Sequence, residues 1–531
     1  MENKMKEKMA DKVVKPNAIN VYSLRTTIED LKKQGELVET DQPVDPDLEF
    51  AALQKRMDGG PTTLFNHVKG YDHARFVMNL FAKRERVDEL FGFKDAKDRT
   101  KKLAQAVRSP LKPVIVDREN APVQEVVKTG KDLNVNDLIV PIRHTEKEEE
   151  PTIGSGVSVL SGRFFDGGTH VGYNRMNFRW DDVATFQVAP GSHIWMSMNK
   201  FYKKERIPIT MNFGIPPAAT IAAGGGFDYV MLPYGCDELG IAGAIQGSPI
   251  ELVPAATVDG AYSIAGAEYV IEGYLDPTDR RFETEMAEKT KQQGEHPFHP
   301  EWAGYMGKAY RAPTFHVTAV THRRLESRPI IQPMIVHGAE ENTIQTTTRE
   351  GALYELADRI MPGFTEDVHI PFSMTDWGGA VYQVNKRNAV DEGYQRNILV
   401  SALGTSRGMR MAIAVDTDIN IYSMDDLMWA LTTRVSPQSD MLNPLPGAAG
   451  QAFQPSEGLI AGAKEHKGST TRFEGGMAID ATVPYGMSEH YERPKYPIHR
   501  VDMSHWFSDE VIKKVDSEQE GWIKMLSQTG W

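Results

Sequence analysis

His170, Arg175, His193 and Glu238 fall within the stretch from Gly167 to Glu238, on segments that read as strand and loops rather than as one helix. Two imidazoles and a carboxylate brought together by folding would seat one divalent metal. Mixed nitrogen and oxygen donors suit Mn²⁺, Fe²⁺ or Zn²⁺, whereas an all-oxygen set would suit Mg²⁺ or Ca²⁺. Arg175 could grip an anion beside that metal, and a metal next to an anion clamp points to a phosphate-bearing cofactor. The same residues admit a plainer use, with His193 capping a loop and Glu238 solvated. Strand alternation sends positions 170 and 175 to opposite faces. Sharing a site therefore requires either a bulge, for which Gly172 is suited, or a strand that ends before Arg175.

A second group is Glu268, Glu272 and Asp276, in Ala-Glu-Tyr-Val-Ile-Glu-Gly-Tyr-Leu-Asp. On a strand all three acids share one face, with Glu268 and Glu272 roughly 13 Å apart. Acids on a mostly apolar strand are costly to bury unless a cation answers them, and Arg175 is the candidate; a solvated face is the alternative. A carboxylate beside an apolar ligand could have its pKa raised enough to act as a general acid near neutrality. Lys386 follows the strand-like Ala380-Val-Tyr-Gln-Val and could meet a phosphate as a point charge.

Bulk properties narrow the setting. At 531 residues the chain exceeds one ordinary core. Its net charge of -13 argues against a nucleic-acid binder. Cys236 is the single cysteine, so no intrachain disulfide forms and a reducing compartment fits. No apolar run approaches the ~18 residues a spanning helix needs, so no membrane partner is expected. Met1 to Lys15 mixes Lys and Glu without an apolar core, unlike a secretory signal. These features predict a cytoplasmic protein.

The elements that would position these residues fall into three stretches, an α+β multidomain arrangement. Residues 1–122 read as an α/β domain behind a polar arm over 1–20. Helices are expected over Ser23–Leu37, Ala51–Met57 and Asp95–Ala106, and a strand over Pro61–Val68. Pro110, Pro113 and Pro122 mark a stiff connection. Residues 123–325 read as β-rich, a barrel or sandwich, with strands over Ser158–Leu160, Val171–Phe178, Thr210–Phe213, Glu251–Val253 and Tyr269–Leu275. Gly167-Gly168 and Gly224-Gly225-Gly226 mark tight loops or ligand approach. Residues 326–531 alternate as an α/β layer. Strands are expected there over Pro329–Val336, Val368–Met374, Ala380–Val384 and Arg410–Val415, and helices over Glu350–Ile360, Asn388–Leu403 and Met424–Thr433. A terminal amphipathic helix over Ser508–Leu526 would dock on a neighbouring subunit or on its own domain.

Taken in order, these segments resemble the UbiD family of reversible decarboxylases, which use prenylated FMN. Gly168-Thr-His-Val-Gly-Tyr-Asn-Arg-Met-Asn is similar to the family's Gly-Thr-Asn-Val-Gly-x-x-Arg-Met-Gln strand, and Gly191-Ser-His-Ile to its histidine segment. Asn212-Phe-Gly-Ile-Pro-Pro-Ala-Ala, the run from Asp237-Glu-Leu-Gly to Ile250-Glu-Leu-Val, and Ala267-Glu-Tyr-Val-Ile-Glu-Gly follow in family order. So do Thr321-His-Arg-Arg, Asp416-Thr-Asp-Ile-Asn, Trp429-Ala-Leu-Thr-Thr-Arg and Ile479-Asp-Ala-Thr. The resemblance covers most of the chain.

It implies a central split-barrel-like flavin-binding domain and a C-terminal oligomerisation helix. It also implies a divalent metal, Mn²⁺ first and Fe²⁺ second, on His170, His193 and Glu238, with K⁺ as an accompanying ion. His170 stands where the family usually has asparagine, exchanging an oxygen ligand for nitrogen, and Asn174 could be recruited. Asn174, Arg175, Met176, His193 and Lys386 would contact the cofactor. Arg175, Glu268 and Glu272 would form the catalytic network, with Asp276 in reserve. Where the family carries Pro-Glu-Gly-Pro-Phe-Gly-Glu, this chain has a longer charged insert and then His296-Pro-Phe-His-Pro-Glu-Trp, which suggests a reshaped pocket entrance.

The implied substrate is an aromatic or α,β-unsaturated carboxylic acid or its CoA thioester, exchanged with CO₂ by a homodimer or homohexamer. A phthaloyl-CoA decarboxylase type is one such member. A flavin prenyltransferase would supply the cofactor. Two rival readings are a flavin-free metal hydrolase and a non-catalytic subunit of a multi-subunit carboxylase.

Overall fold

The computed structural model describes residues 19–130, 133–161, 168–189, 192–225, 236–406, 408–443 and 476–529. Most of the polar arm, together with Gly167, Gly191 and Gly226, lies outside them. The chain is a mixed α+β multidomain protein, and its contacts divide it into two compact units, Met1–Glu355 with Ala449–Phe473, and Leu356–Ala448 with Glu474–Trp531.

In the first unit the opening helix, Leu24–Lys33, begins at Ser23, whose hydroxyl accepts from the Thr26 amide in a reciprocal capping box. Leu24, Ile28 and Leu31 form its buried stripe. It stops short of the expected Leu37 because Gly35 takes a left-handed φ of 75°. A small sheet follows in the order Val38–Thr40, Thr63–Phe65, Arg75–Met78, Ile330–Ile331.

The central sheet carries the chemistry. Its strands are β1 (Val126–Thr129), β2 (Val157–Ser161), β3 (Thr169–Tyr173), β4 (Met176–Asn177), β5 (Val183–Phe186), β6 (Ile207–Phe213), β7 (Tyr269–Phe282) and β8 (Arg311–His322). They run in the order β3-β2-β6-β7-β8-β5-β4, with β1 on β8. The sheet curls into a half-barrel around a core that includes Met211, Phe213, Tyr269, Ile271 and Phe315. Two helices, α1 (Pro217–Gly225) and α2 (Glu238–Gln246), pack beside β3.

β7 is 14 residues long and outruns the expected end at Leu275. A register shift against β8 between Asp276 and Arg280 absorbs Pro277 and lets pairing resume at Arg280. At the head of α1, Gly214 has φ 61°, and a Cβ there would lie 2.4 Å from the Ile330 carbonyl oxygen. Glycine is required at that turn both by its left-handed backbone and by this close approach.

In the second unit five strands run in the order Thr365–His369, Gly379–Val384, Met411–Asp416, Met477–Ala481, Met441–Leu442. The Gly379–Val384 strand is buried along its whole length, as expected for a strand inside an α/β layer. Helices Tyr394–Thr405 and Met424–Arg434 accompany this sheet.

Three expectations need correction. The strand over Pro329–Val336 shrinks to Ile330–Ile331, and the helix expected from Glu350 begins at Ala339 and runs to Ile360. Its first half buries Thr343, Thr346, Thr347 and Thr348. The hydroxyls of Thr346 and Thr347 donate to carbonyls four residues back, so a polar run is buried without any apolar period. The tail forms two helices, Asp509–Glu518 and Gly521–Thr529, because Gly521 (φ 52°) breaks the stripe.

Candidate active site

Thr169 opens β3 and donates to the Asp237 carboxylate at 2.6 Å, which also accepts from Gly240 N and so caps α2. That clamp seats Glu238, the first residue of α2, against the next residue of the strand. Glu238 Oε2 accepts from His170 Nδ1 and from the Val171 amide, both at 2.7 Å. Its Oε1 lies 3.0 Å from His193 Nδ1, and the two Nδ1 atoms are 3.1 Å apart. His193 is placed by the Ser192 cap of a single turn, His193–Met196. All three side chains are buried.

Two donors roughly 2.1 Å from one ion and 90–110° apart lie about 3.0–3.4 Å from each other. The Glu238–His193 and His170–His193 separations already match that spacing. The donor chemistry, two imidazole nitrogens and a carboxylate within 4.8 Å of one another, suits a divalent transition metal. Burial would raise the Glu238 pKa, but His170 and His193 bring it down to about 2. It therefore stays ionised, as a ligand must.

Arg175 reaches its place by the second route open to it. Gly172 pairs regularly with Ser158 and makes no bulge. Pairing instead stops after Tyr173 and resumes at Met176. Asn174 holds that break: its Oδ1 accepts from Ser158 Oγ at 2.7 Å and its Nδ2 donates to the Gln187 carbonyl. Met176 is fully buried in the core. The Arg175 guanidinium donates to Glu283 Oε1 at 3.3 Å and to Glu301 Oε1 at 3.2 Å, and lies 4.9 Å from the Phe298 ring centre.

Glu283 is 4% exposed, and its other oxygen accepts from the Tyr310 amide. Burial raises its pKa above the ordinary carboxylate value, and the Arg175 charge only partly opposes this. The arrangement is a guanidinium between two carboxylates, one of which is biased toward its protonated form.

Glu268 and Glu272 do not meet Arg175, and this corrects the expected catalytic network. They lie at the start of β7, whereas Glu283 follows its far end, roughly 36–50 Å of chain away at about 3.3 Å per residue. Glu268 is paired with Arg25 at 2.6 Å and Arg323 at 3.0 Å, and accepts from the Ile330 amide. Glu272 accepts from the amides of Ala256 and Thr257 and from the Thr257 hydroxyl, each at 2.8 Å. Asp276 is bound to Arg206 and to the turn at Thr278 and Asp279.

Glu268 thus ties the first helix to the sheet. Glu268→Gln is expected to lower stability by about 2–4 kcal/mol, because two partly buried arginines lose their counter-charge. Chemical denaturation reads this, and turnover per folded molecule should stay near wild type.

Glu283 and Glu301 escaped the sequence reading because the first sits in the charged insert and the second in the His296–Trp302 run after it, which reads only as a reshaped pocket entrance. The available signal was Arg280-Arg-Phe-Glu, where Phe282 resumes the apolar alternation of β7. Lys386 belongs to the second unit, where its ammonium donates to both Glu392 oxygens at 3.0 Å and to the Val483 carbonyl at 2.8 Å. It lines a cavity there with Asp416, Arg434 and Arg493.

Residues 28–107, 114–340 and 342–481 match the N-terminal, Rift-related and C-terminal domains described for 3-octaprenyl-4-hydroxybenzoate carboxy-lyase. The chain belongs to the UbiD family and is a carboxy-lyase of that type.

It is 30% identical over 494 residues to a gallate decarboxylase of Lactiplantibacillus plantarum, covering 90% of this chain and 97% of that protein. The apo 3,4-dihydroxybenzoic acid decarboxylase of Enterobacter cloacae superposes with TM-score 0.76 at 29% identity, over 92% of this chain and 99% of that one. An evolved dimeric form of the UbiD-class enzyme HmfF from Pelotomaculum thermopropionicum, in complex with prFMN, gives TM-score 0.74 at 26% identity, over 92% of this chain and 100% of that one. Among the described residues no helix is long and apolar enough to cross a membrane.

Proposed function

We propose that this carboxy-lyase removes CO₂ from an aromatic carboxylic acid, as the free acid or its CoA thioester. It would use prenylated FMN whose phosphate is anchored through a divalent metal, Mn²⁺ first and Fe²⁺ second, on His170, His193 and Glu238. These three donors suit a transition metal, and K⁺ would accompany it as a separate ion. The observation that carries this reading is the buried Arg175 guanidinium held between Glu283 and Glu301. Support for the aromatic class comes from the gallate and dihydroxybenzoic acid decarboxylases to which the chain is similar.

When bound, the cofactor would supply an electron sink for the pair released with CO₂. This chain's own residues do the rest. Arg175 orients the substrate carboxylate with its planar fork. Glu283, held toward its protonated form by burial, delivers a proton to the carbon left behind. Glu301 steadies the guanidinium from the other side. In the reverse direction Glu283 accepts that proton, so the same residues serve carboxylation. Asn174 and Met176 shape the strand break that aims Arg175. The tail exposes Trp506, Phe507, Val511 and Ile523, apolar surface suited to a homodimer or homohexamer. A cytoplasmic location completes the reading.

The test is anaerobic purification after co-expression with a flavin prenyltransferase, followed by absorbance, phosphorus and metal analysis and a screen of aromatic acids and their CoA thioesters for CO₂ release. Flavin and phosphorus in equal amounts, at least one equivalent of divalent metal, and CO₂ release from at least one aromatic acid are expected. A colourless protein that hydrolyses esters would point to the flavin-free metal hydrolase instead. A folded protein that takes up no flavin and is inert toward every acid and ester would point to a non-catalytic subunit.

A further inference from the structure

Apart from the histidine–glutamate site already described, the chain buries a second cluster of the same make-up. His144 Nδ1 lies 3.0 Å from Glu148 Oε1, and His299 Nδ1 lies 3.3 Å from the same oxygen. The other Glu148 oxygen accepts from the amides of His144 and Thr145. That fixes the carboxylate so that Oε1 faces the two rings. The Thr152 hydroxyl approaches His299 Nδ1 at 3.1 Å and adds a fourth polar group. The ring centres are 4.6 Å apart and nearly perpendicular, at 87°. The three side chains are at most 6% exposed, and one donor atom from each falls within 4.8 Å of the others.

We propose that His144, Glu148 and His299 form a second divalent-metal site, of the class that takes Zn²⁺ or Mn²⁺. Both histidine–glutamate separations, 3.0 and 3.3 Å, fall in the window of about 3.0–3.4 Å expected of ligands roughly 2.1 Å from one ion. Two neutral imidazoles and one carboxylate leave a single negative charge that a dication answers. As at Glu238, two ring nitrogens converge on one buried carboxylate, here on a single oxygen of it.

The cluster also has a position suited to a purpose. His299 lies on the strand Pro297–Pro300, and the chain passes directly from it to Glu301. Phe298 of that strand lies against the Arg175 guanidinium that Glu301 binds. A metal on His299 would pin both residues against Arg175 and act as a positioning device, separate from any ion that holds a cofactor.

The experiment is equilibrium dialysis of the full-length, tag-free, metal-stripped chain against Zn²⁺, with bound metal counted by mass spectrometry. Wild type should bind two equivalents. His299→Ala and Glu148→Gln should each bind one, and His193→Ala should also bind one. X-ray absorption on the zinc retained by His193→Ala should show two imidazoles and a carboxylate.

A single equivalent in wild type, lost in His193→Ala, would overturn the proposal and leave a purely hydrogen-bonded cluster. Two equivalents retained in both His299→Ala and Glu148→Gln would overturn it equally. Because His193→Ala leaves the cluster intact, its count and ligand set decide the matter even if the cluster variants fail to fold. This count is independent of whether the chain decarboxylates an aromatic acid.

Discussion

Glu283→Gln should lower kcat by roughly 10²-fold or more while flavin and metal content stay at wild-type levels. The side chains are nearly isosteric and the amide oxygen can still accept from Arg175, so the change removes the transferable proton and little else. Steady-state kinetics on loaded enzyme, with flavin quantified by absorbance, reads both halves of the expectation.

The sign of the pH dependence follows from the direction of the Glu283 shift. Burial raises this pKa, and the protonated form is the one that donates. Wild-type decarboxylation should therefore fall as pH rises through the raised pKa. Glu272→Gln supplies the contrast, because three hydrogen bonds from the Ala256–Thr257 turn already occupy that carboxylate. A Glu283→Gln enzyme with near-normal turnover, beside an inactive but folded Glu272→Gln enzyme, would return the acid role to the start of β7.

The second large effect is expected at Glu238. Glu238→Gln should abolish the metal equivalent held with His170 and His193, and weaken retention of a phosphate-bearing flavin by roughly 10²-fold or more. Second-sphere changes alone typically cost 10–100-fold in metal affinity, and this change is to a ligand itself. A neutral amide cannot supply the charge that a dication needs beside two neutral imidazoles. Metal analysis and flavin titration monitored by fluorescence measure the two losses separately. Unchanged metal content in Glu238→Gln would remove the metal centre from the proposal. Loss of metal with flavin affinity intact would detach the cofactor phosphate from that centre.

Much of this was legible in the chain alone, for a physical reason that applies residue by residue. Runs rich in β-branched and aromatic residues marked β2, β3, β6 and the first half of β7, because such side chains pack well on a pleated surface. Helical spacing of Leu24, Ile28 and Leu31 marked the opening helix, because one buried face repeats about every 3.6 residues. The types of His170, His193 and Glu238 announced a metal chemistry, since their donor atoms are fixed by composition.

What the sequence left open was long-range. Whether a bulge or a strand end brings Arg175 inward depends on pairing with β2, and tertiary structure chose the strand end. Which acid faces Arg175 depends on where β7 stops. The shift across Asp276 to Arg280 carries the strand on to Glu283, while Glu268 and Glu272 are claimed by Arg25, Arg323 and the Ala256–Thr257 turn. In the Ala339–Ile360 helix the buried Thr346 and Thr347 hydroxyls are satisfied within the helix and Thr348 donates to the Ile221 carbonyl, so no apolar period betrayed them. Residue type could nominate the donors and acids, but only folding brings residues more than a hundred positions apart, such as Arg175 and Glu283, into hydrogen-bonding range.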